Sequence, residues 1–347
     1  MGSVENSIKS YKGGEEMKKI TVLIVIFLAI AWALPEVAIS QTFKIRFGHV
    51  APPIHGQHKG ALHFKNVVEL ASGGRIQVSV HPAGQLGGEV ALAEAIQMGT
   101  LEMGSIGDPP LSNLIPQLAL FGLPFFYPDK AAVERVWSGE AGRKVANFFP
   151  PKGMIMLSWT GNGFRDFGNS KRPIHTPADL KVLKIRTQES PLYIDSYKAL
   201  GVNPIPIPWP EVFSSLQQGV IDGIDLPYNG MWMAKTYEAI KYLTLSGWAY
   251  SGILVVINKK FYDSLPADLR QIVKDGAYES GRVSLSTNYQ DELTALSGIK
   301  ARGIAVATLS PEEKEEFKKL LRPVYDTWKK KIGDDLYNEA LKAIQEK

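Results

Sequence analysis

Hydrophobic and polar positions alternate from residue 42 to 49, with Phe43, Ile45 and Phe47 on one side and Lys44 and Arg46 on the other. That period of two predicts a half-buried strand. Residues 60–71 change to helical spacing, with Leu62, Phe64, Val67, Val68 and Ala71 on one stripe, and Gly73-Gly74 stops them. Residues 75–81 alternate again through Ile76, Val78 and Val80. The result is β-α-β, with a helical crossover suited to a parallel pair of strands.

The rhythm then repeats. Gly88 and Glu89 open a helix that runs through Met98, and a short strand over 103–106 leads to Asp108-Pro109-Pro110. A turn at Tyr127-Pro128-Asp129 precedes a long helix predicted over 131–149, followed by a strand over 154–159. Gly161-Asn162-Gly163 reads as a crossover between domains, since paired glycines permit bending. A second unit opens at 165–169 and has strands over 184–187 and 202–207, with helices over 190–200 and 211–218. Thr176-Pro177-Ala178-Asp179 caps a helix of only a turn or so. The apolar stretch 252–257 is suited to return to the first sheet, and 267–296 is one long helical pattern without proline. Ser310-Pro-Glu-Glu313 is a capping box that opens the next helix. The expected fold is α/β with two lobes and a ligand cleft between them, outside the carboxyl ends of the strands. Residues 41–161 with about 250–290 are expected to form lobe I, and 162–249 with about 291–347 lobe II.

Composition adds limits. Of 347 residues 45% are hydrophobic and 21% charged, ordinary for globular chains and enough for two domains. The net charge of +4 is spread along the chain, and the longest basic run, Lys329-Lys330-Lys331, lies near Asp334 and Asp335. That pattern is a solvated helix end and not a nucleic-acid surface. There is no cysteine, which excludes disulfides, thiol catalysis, cysteine-held metals and a cysteine-anchored lipoprotein. Met17-Lys18-Lys19, an apolar run of 15 residues from Ile20 to Leu34, and Ala38-Ile39-Ser40 read as a secretory signal peptide over 1–40, cleaved ahead of Gln41. Met17 is read as the true start, which makes residues 1–16 a mis-called extension. The four lysines and four glutamates of 1–40 cancel, so the charge after cleavage stays +4. The expected location is the periplasm.

Candidate chemistry centres on a cation. Arg186 ends the strand-like run that starts at Asp179, and 36 residues later comes the Asp222-Gly223 turn, followed by Ile-Asp225-Leu226-Pro227. The planar fork of arginine suits bidentate capture of a carboxylate. Arg165 is a second candidate for the same anion, and Trp209, Tyr228 and Trp232 offer aromatic faces near the Asp-Gly turn. Asp108 and Asp225 are expected to face the ligand, where Asp225 would meet an amine. His49, His55, His58 and His63 have a metal-like spacing but no acidic residue nearby to complete a zinc shell, so no metal is expected. Neither Gly-x-Ser-x-Gly nor His-Glu-x-x-His occurs, which counts against a secreted hydrolase. No cofactor is called for and no catalytic residue is assigned.

In order and spacing the motifs resemble the solute-binding proteins of TRAP transporters, the DctP-like family. They include Phe47-Gly48-His49, Pro82-Ala-Gly-Gln-Leu-Gly-Gly-Glu89, Met98-Gly-Thr-Leu-Glu-Met103 and Leu123-Pro-Phe-Phe126. Arg172-Pro-Ile174, Asp179 to Arg186, Pro208-Trp-Pro-Glu-Val212, Gln218-Gly-Val-Ile-Asp-Gly223 and Tyr237-Glu-Ala-Ile-Lys-Tyr242 complete the series. The resemblance implies a periplasmic-binding-protein-like fold that closes on a small organic acid and passes it to the transporter's membrane subunits. Under it Arg186 holds the carboxylate, Arg165 assists, Trp209 packs on the ligand and Glu89 sits at a cleft position that varies with substrate. One departure stands out: Leu226 occupies a position where the family often has asparagine. With the aromatic candidates, this favours a monocarboxylate with an apolar or aromatic body over a dicarboxylate or sugar acid. A monomer or homodimer is expected, and a sensory module feeding a receptor would share the same fold and site.

Overall fold

A computed structural model describes residues 42–346, so the signal-peptide reading of 1–40 lies outside the described residues. Among the described residues no helix is long and apolar enough to cross a membrane.

Nine strands form one sheet: β1 Phe43–Gly48, β2 Ile76–His81, β3 Met103–Gly107, β4 Met154–Asn169, β5 Ile185–Thr187, β6 Ile205–Pro206, β7 Gly223–Leu226, β8 Tyr242–Asn258 and β9 Ala305–Thr308. Their order is β2-β1-β3-β8-β4-β7-β5-β6, with β9 paired to β8. The two flanks are parallel trios, β2-β1-β3 and β7-β5-β6. Each comes from β-α-β units whose strands are apolar on their inner positions. Between the trios run β4 and β8, antiparallel to one another. The carboxyl half of β8 pairs with β3 and the carboxyl end of β4 pairs with β7, so this central ribbon belongs to both halves.

Here the structure corrects three sequence expectations. Gly161-Asn162-Gly163 does not end a strand; β4 passes straight through it for 16 residues, absorbing extra residues as bulges. Gly163, at φ +136°, accommodates the bend that a bulge imposes. The apolar stretch 252–257 does return to the first half, pairing with β3, but as the end of the 17-residue β8 and not as a separate strand. The helix expected over 131–149 is two helices, Lys130–Ser138 and Glu140–Ala146, broken at an extended Gly139. A Cβ there would fall 2.5 Å from the Arg135 carbonyl oxygen.

The 35-residue helix Ala267–Ala301 lies along both halves. Near its start Leu269, Val273 and Ala277 join the core of β1, β2 and helix Gly56–Ala71, while Ile299 joins the core around β7. The C-terminal helix Asp334–Gln345 packs on Lys130–Ser138, where Arg135 donates to the carbonyls of Ala343 and Ile344. Segments that the expected lobe boundaries separate are thus in direct contact.

The widest bulge in the ribbon lies opposite Arg165 and Phe167, which pair with Ala249 and Thr244. Asp166 fills it, and its Oδ1 accepts the N–H groups of Ser246 at 2.8 Å and Gly247 at 3.0 Å. Burial pushes this carboxyl up to about 7 against the pull of those two donors. An acid whose pKa is raised by folding stabilises fully below its unfolded value, near 4, and that stability is lost as pH rises through about 7. Asp166→Asn keeps an oxygen for both donors and removes the titration. Thermal melts from pH 4 to 8 should show the variant gaining on the wild type as pH rises, by several degrees at pH 8; a constant difference would contradict this account.

Candidate functional site

A cavity lies between the two halves of the sheet. It has about 60 Å³ of room for the centres of water molecules. From the first half come Val50, Ala51, Pro52, His55, Gln57, Glu89 and Gly107, and from the second Gln188, Trp209, Leu226, Gly230 and Ala234. Asn162, Ser251, Gly252 and Ile253, from the ribbon itself, complete much of the wall.

The two halves touch at its rim. Gly84 and Gly88 of the Pro82-to-Glu89 motif meet Pro210 and Pro208, which flank Trp209. A Cβ on Gly84 would come within 2.6 Å of the Pro210 ring, and Gly84 sits at φ +73°, a conformation glycine adopts freely. Two motifs 120 residues apart in the chain therefore close on each other only because one is made of glycine.

Both arginines are fully buried, directly behind the wall and not on it. Arg165, on β4, donates from Nε to Asp225 Oδ2 at 2.9 Å and from Nη1 to Gln188 Oε1 at 2.6 Å, and its Nη2 reaches the Asp225 carbonyl. Burial works against its charge, and Asp225 more than restores it, which holds the guanidinium above its ordinary pKa. Arg186, on β5, is held differently. Its Nε and Nη2 both donate to the carbonyl of Ile207, at 2.9 and 2.7 Å, and its Nη1 is buried without an acceptor. The Trp209 ring lies 5.8 Å from its guanidinium carbon. Burial, with repulsion from Arg165, outweighs the attraction of Asp225, Glu89 and Glu189 and pushes Arg186 down to about 10, so it remains a cation at neutral pH, hydrogen-bonded to no carboxylate.

Three acids surround the pair. Asp225 bonds Arg165 through Oδ2 and its carbonyl, does not lie on the cavity wall, and keeps Oδ1 buried without a partner. Glu89, the first residue of its helix, accepts the Gly107 N–H at 2.7 Å and the Gln188 amide at 3.4 Å. Asp108 accepts the Gly252 N–H at 2.9 Å on Oδ1, while Oδ2 is buried without a donor. Burial raises the pKa of Glu89 and raises that of Asp108 strongly.

Tyr228 and Trp232 are not on the cavity wall. They share one helix, Tyr228–Met233, whose Gly230 contributes to the wall together with Ala234, just past its end. Residues 228 and 232 lie on a different face from 230 and 234, since each is offset by two positions in a 3.6-residue turn. Tyr228 donates to Glu292 at 3.1 Å, and Trp232 stacks on Tyr237 with centroids 4.7 Å apart. Trp209 is therefore the only one of the three aromatic candidates that reaches the cavity. Leu226 reaches it too. Sequence reasoning missed Gln188, although a period of two from Arg186 places it on the same side of the strand. It named His55 only in a histidine-rich loop and passed over Gln57, Ser251 and Asn162, which come from a helix and two strands that nothing in the sequence ties to Arg186. Among the described residues no cluster of histidines and acids is arranged to hold a metal ion. His49 and His58 instead bond to each other at 3.0 Å, and His55 caps helix Gly56–Ala71.

Two half-sheets joined by continuous strands, closing over a small cavity backed by an unpaired cation, define a two-lobed solute-binding protein. The chain belongs to the bacterial extracellular solute-binding proteins of family 7, the DctP family, whose profile matches residues 47–331. It is 34% identical to the 2,3-diketo-L-gulonate-binding periplasmic protein YiaO of Escherichia coli, over 76% of this chain and 81% of that one. Among solved structures it is similar to the sugar acid binding protein DctPAm of Advenella mimigardefordensis in complex with galactonate, with a TM-score of 0.84 and 30% identity, covering 88% of this chain and 98% of that one. It is also similar to a TRAP periplasmic solute binding protein of Ralstonia eutropha with bound (S)-2-acetolactate, with a TM-score of 0.83 and 32% identity, covering 87% and 98%.

The two arginines should respond differently to removal. Arg165→Met leaves Asp225 buried and unpaired, which costs about 3–5 kcal/mol. Denaturant unfolding should register that loss in full, and a loss under about 1 kcal/mol would mean that the pair does not hold the fold together.

Proposed function

We propose that the chain is the extracytoplasmic receptor of a TRAP transporter, exported by its signal peptide, and that it captures a small organic acid and hands it to the membrane subunits. The observation that carries this reading is Arg186 Nη1, a buried guanidinium nitrogen with no acceptor. Leaving such a donor unmade costs about 1–3 kcal/mol, more for a charged group, and an incoming carboxylate supplies the missing partner. Relatives named for 2,3-diketo-L-gulonate, and those seen with galactonate and 2-acetolactate, are consistent with an acid as cargo. Arg165 acts at one remove. Its bond to Gln188 positions that side chain on the wall, and its pairing with Asp225 leaves Arg186 as the positive charge for the ligand.

Access requires motion. Arg186 lies behind Trp209 and Gln188, so the carboxylate enters while the halves are apart, and Trp209 then folds over it as the rim closes. The β4–β8 ribbon and the helix Ala267–Ala301 connect the halves and take up that bending. The cavity is small and its apolar wall is Val50, Ala51, Pro52, Leu226 and Ile253 with one indole, so it suits a compact acid and not a large aromatic one.

Arg186→Met should leave the unliganded protein folded, since it removes a desolvated charge and no ion pair. It should abolish the rise in melting temperature that the bound acid produces, equivalent to at least about 100-fold in affinity. An equal rise in the variant would place the anchor elsewhere. Gly84→Ala should weaken the same acid about 10-fold, because the added methyl meets Pro210 as the rim closes, and it should also lower the unliganded melting temperature, because an L side chain is strained at φ +73°; unchanged affinity would remove the rim contact from the closing mechanism.

A further inference from the structure

We infer, resting on the carboxylate reading above, that the acid carries a single carboxylate and a neutral oxygen acceptor, an oxo or hydroxyl group, and that the Nε2–H of His55 reads that oxygen. Two independent observations meet here. The first is the inventory of charge. No lysine or arginine lies on the cavity wall. Behind the wall Arg165 is paired with Asp225, which leaves Arg186 as the cation bonded to no carboxylate, and the other ionisable neighbours are the acids Glu89, Asp108 and the half-buried Glu189, so no further cation is left for a second carboxylate. A second carboxylate would be buried beside acids with no cation to meet it, which is prohibitively unfavourable.

The second observation is the state of His55. Its ring is buried, lines the cavity, and accepts the Gln57 N–H on Nδ1 at 3.1 Å as the cap of helix Gly56–Ala71. A nitrogen that accepts carries no proton, so the imidazole is neutral and its proton sits on Nε2. Burial and the nearby Lys59 ammonium also disfavour the charged ring, pushing its pKa down to about 4. Among the described residues nothing accepts from Nε2, so the ring presents one neutral donor at the cavity. A neutral donor cannot balance a second carboxylate but pairs well with an oxo or hydroxyl oxygen. On the same wall Ser251 Oγ and Asn162 Oδ1 are buried without partners, and these can meet a ligand hydroxyl. The apolar side of the body then falls to Leu226, Gly230 and Ala234 of the second half, where a multiply hydroxylated chain would find no partners.

Calorimetry with 2-oxobutanoate, 2-hydroxybutanoate, butanoate and succinate tests this directly. The oxo or hydroxy acid should bind at least about 10-fold tighter than butanoate, because butanoate leaves the His55 donor unmade. Succinate should be weaker than the best of them by at least about 100-fold. His55→Asn retains a good N-cap acceptor for Gln57 while withdrawing the ring donor. It should bring the oxo and hydroxy acids to within about 3-fold of butanoate, with the unliganded melting temperature little changed. Tight succinate binding, a preference that survives in His55→Asn, or failure of all four acids to bind would overturn the inference. The Arg186→Met variant separates the two levels. If it abolishes binding of whichever acid proves tight, the carboxylate anchor stands even where the His55 selection fails; if binding persists, the anchor itself is wrong.

Discussion

The buried ion pair between Arg165 and Asp225 is what the site depends on. Two guanidinium groups lie close together behind one wall, and without compensation they would repel and be expelled from an apolar interior. Asp225 pairs with one of them, through a carboxylate bond and a backbone bond to the same side chain. The other, Arg186, is held in place by the Ile207 carbonyl, which fixes its geometry without cancelling its charge. The protein thus keeps a buried cation that is positioned but not neutralised. That state is costly without an anion, and in the proposed function an incoming carboxylate offsets the cost.

The sheet explains how such a group is reached. A cavity closed by rigid walls would not admit a ligand, and one closed by loops would not hold its charges in register. The β4–β8 ribbon resolves this by being continuous across both halves while carrying its irregularities in the middle, at Leu157, Asn162 and the Ser246–Gly247 bulge. Arg165 and Asp166 lie side by side in that ribbon, one facing the ion pair and the other pinning the bulge. The side chain that makes the ion pair and the one that pins the bulge are therefore neighbours in one strand.

Much of this was legible in the chain. Strand alternation, glycine stops and capping residues gave the α/β order, and both capping boxes form as their residues demand. The strand and helix periods failed where a bulge or a glycine interrupts them. The strand period reads Gly161-Asn162-Gly163 as a break, because a bulge keeps the hydrogen-bonding ladder while discarding the alternation. The helix period over 131–149 misses the break at Gly139, because the apolar stripe continues through it while the break itself admits only a residue without a Cβ, which would otherwise fall against a carbonyl one turn back. For the site, residue type singled out Arg186, Trp209 and Asp108 as candidates, and the family resemblance added Arg165 and Glu89. Proximity along the chain misplaced Tyr228 and Trp232, since two positions along a helix are enough to turn a side chain away.

By itself the sequence determined which charges and apolar stripes the protein possesses, because these follow from residue types and local periods that act over a few bonds. It also determined that a cation lies in the run that forms β5 and that no thiol chemistry is available. Only the tertiary structure decided what those charges mean. Whether an arginine is free or paired depends on which acid the fold brings to within 3 Å of it, and here the acid lies 60 residues away on a neighbouring strand. The same packing gave His55 its tautomer, set Gln188 on the wall and turned Tyr228 and Trp232 away from it. Partnership across the chain is a property of the folded geometry, and the function rests on which partner is missing.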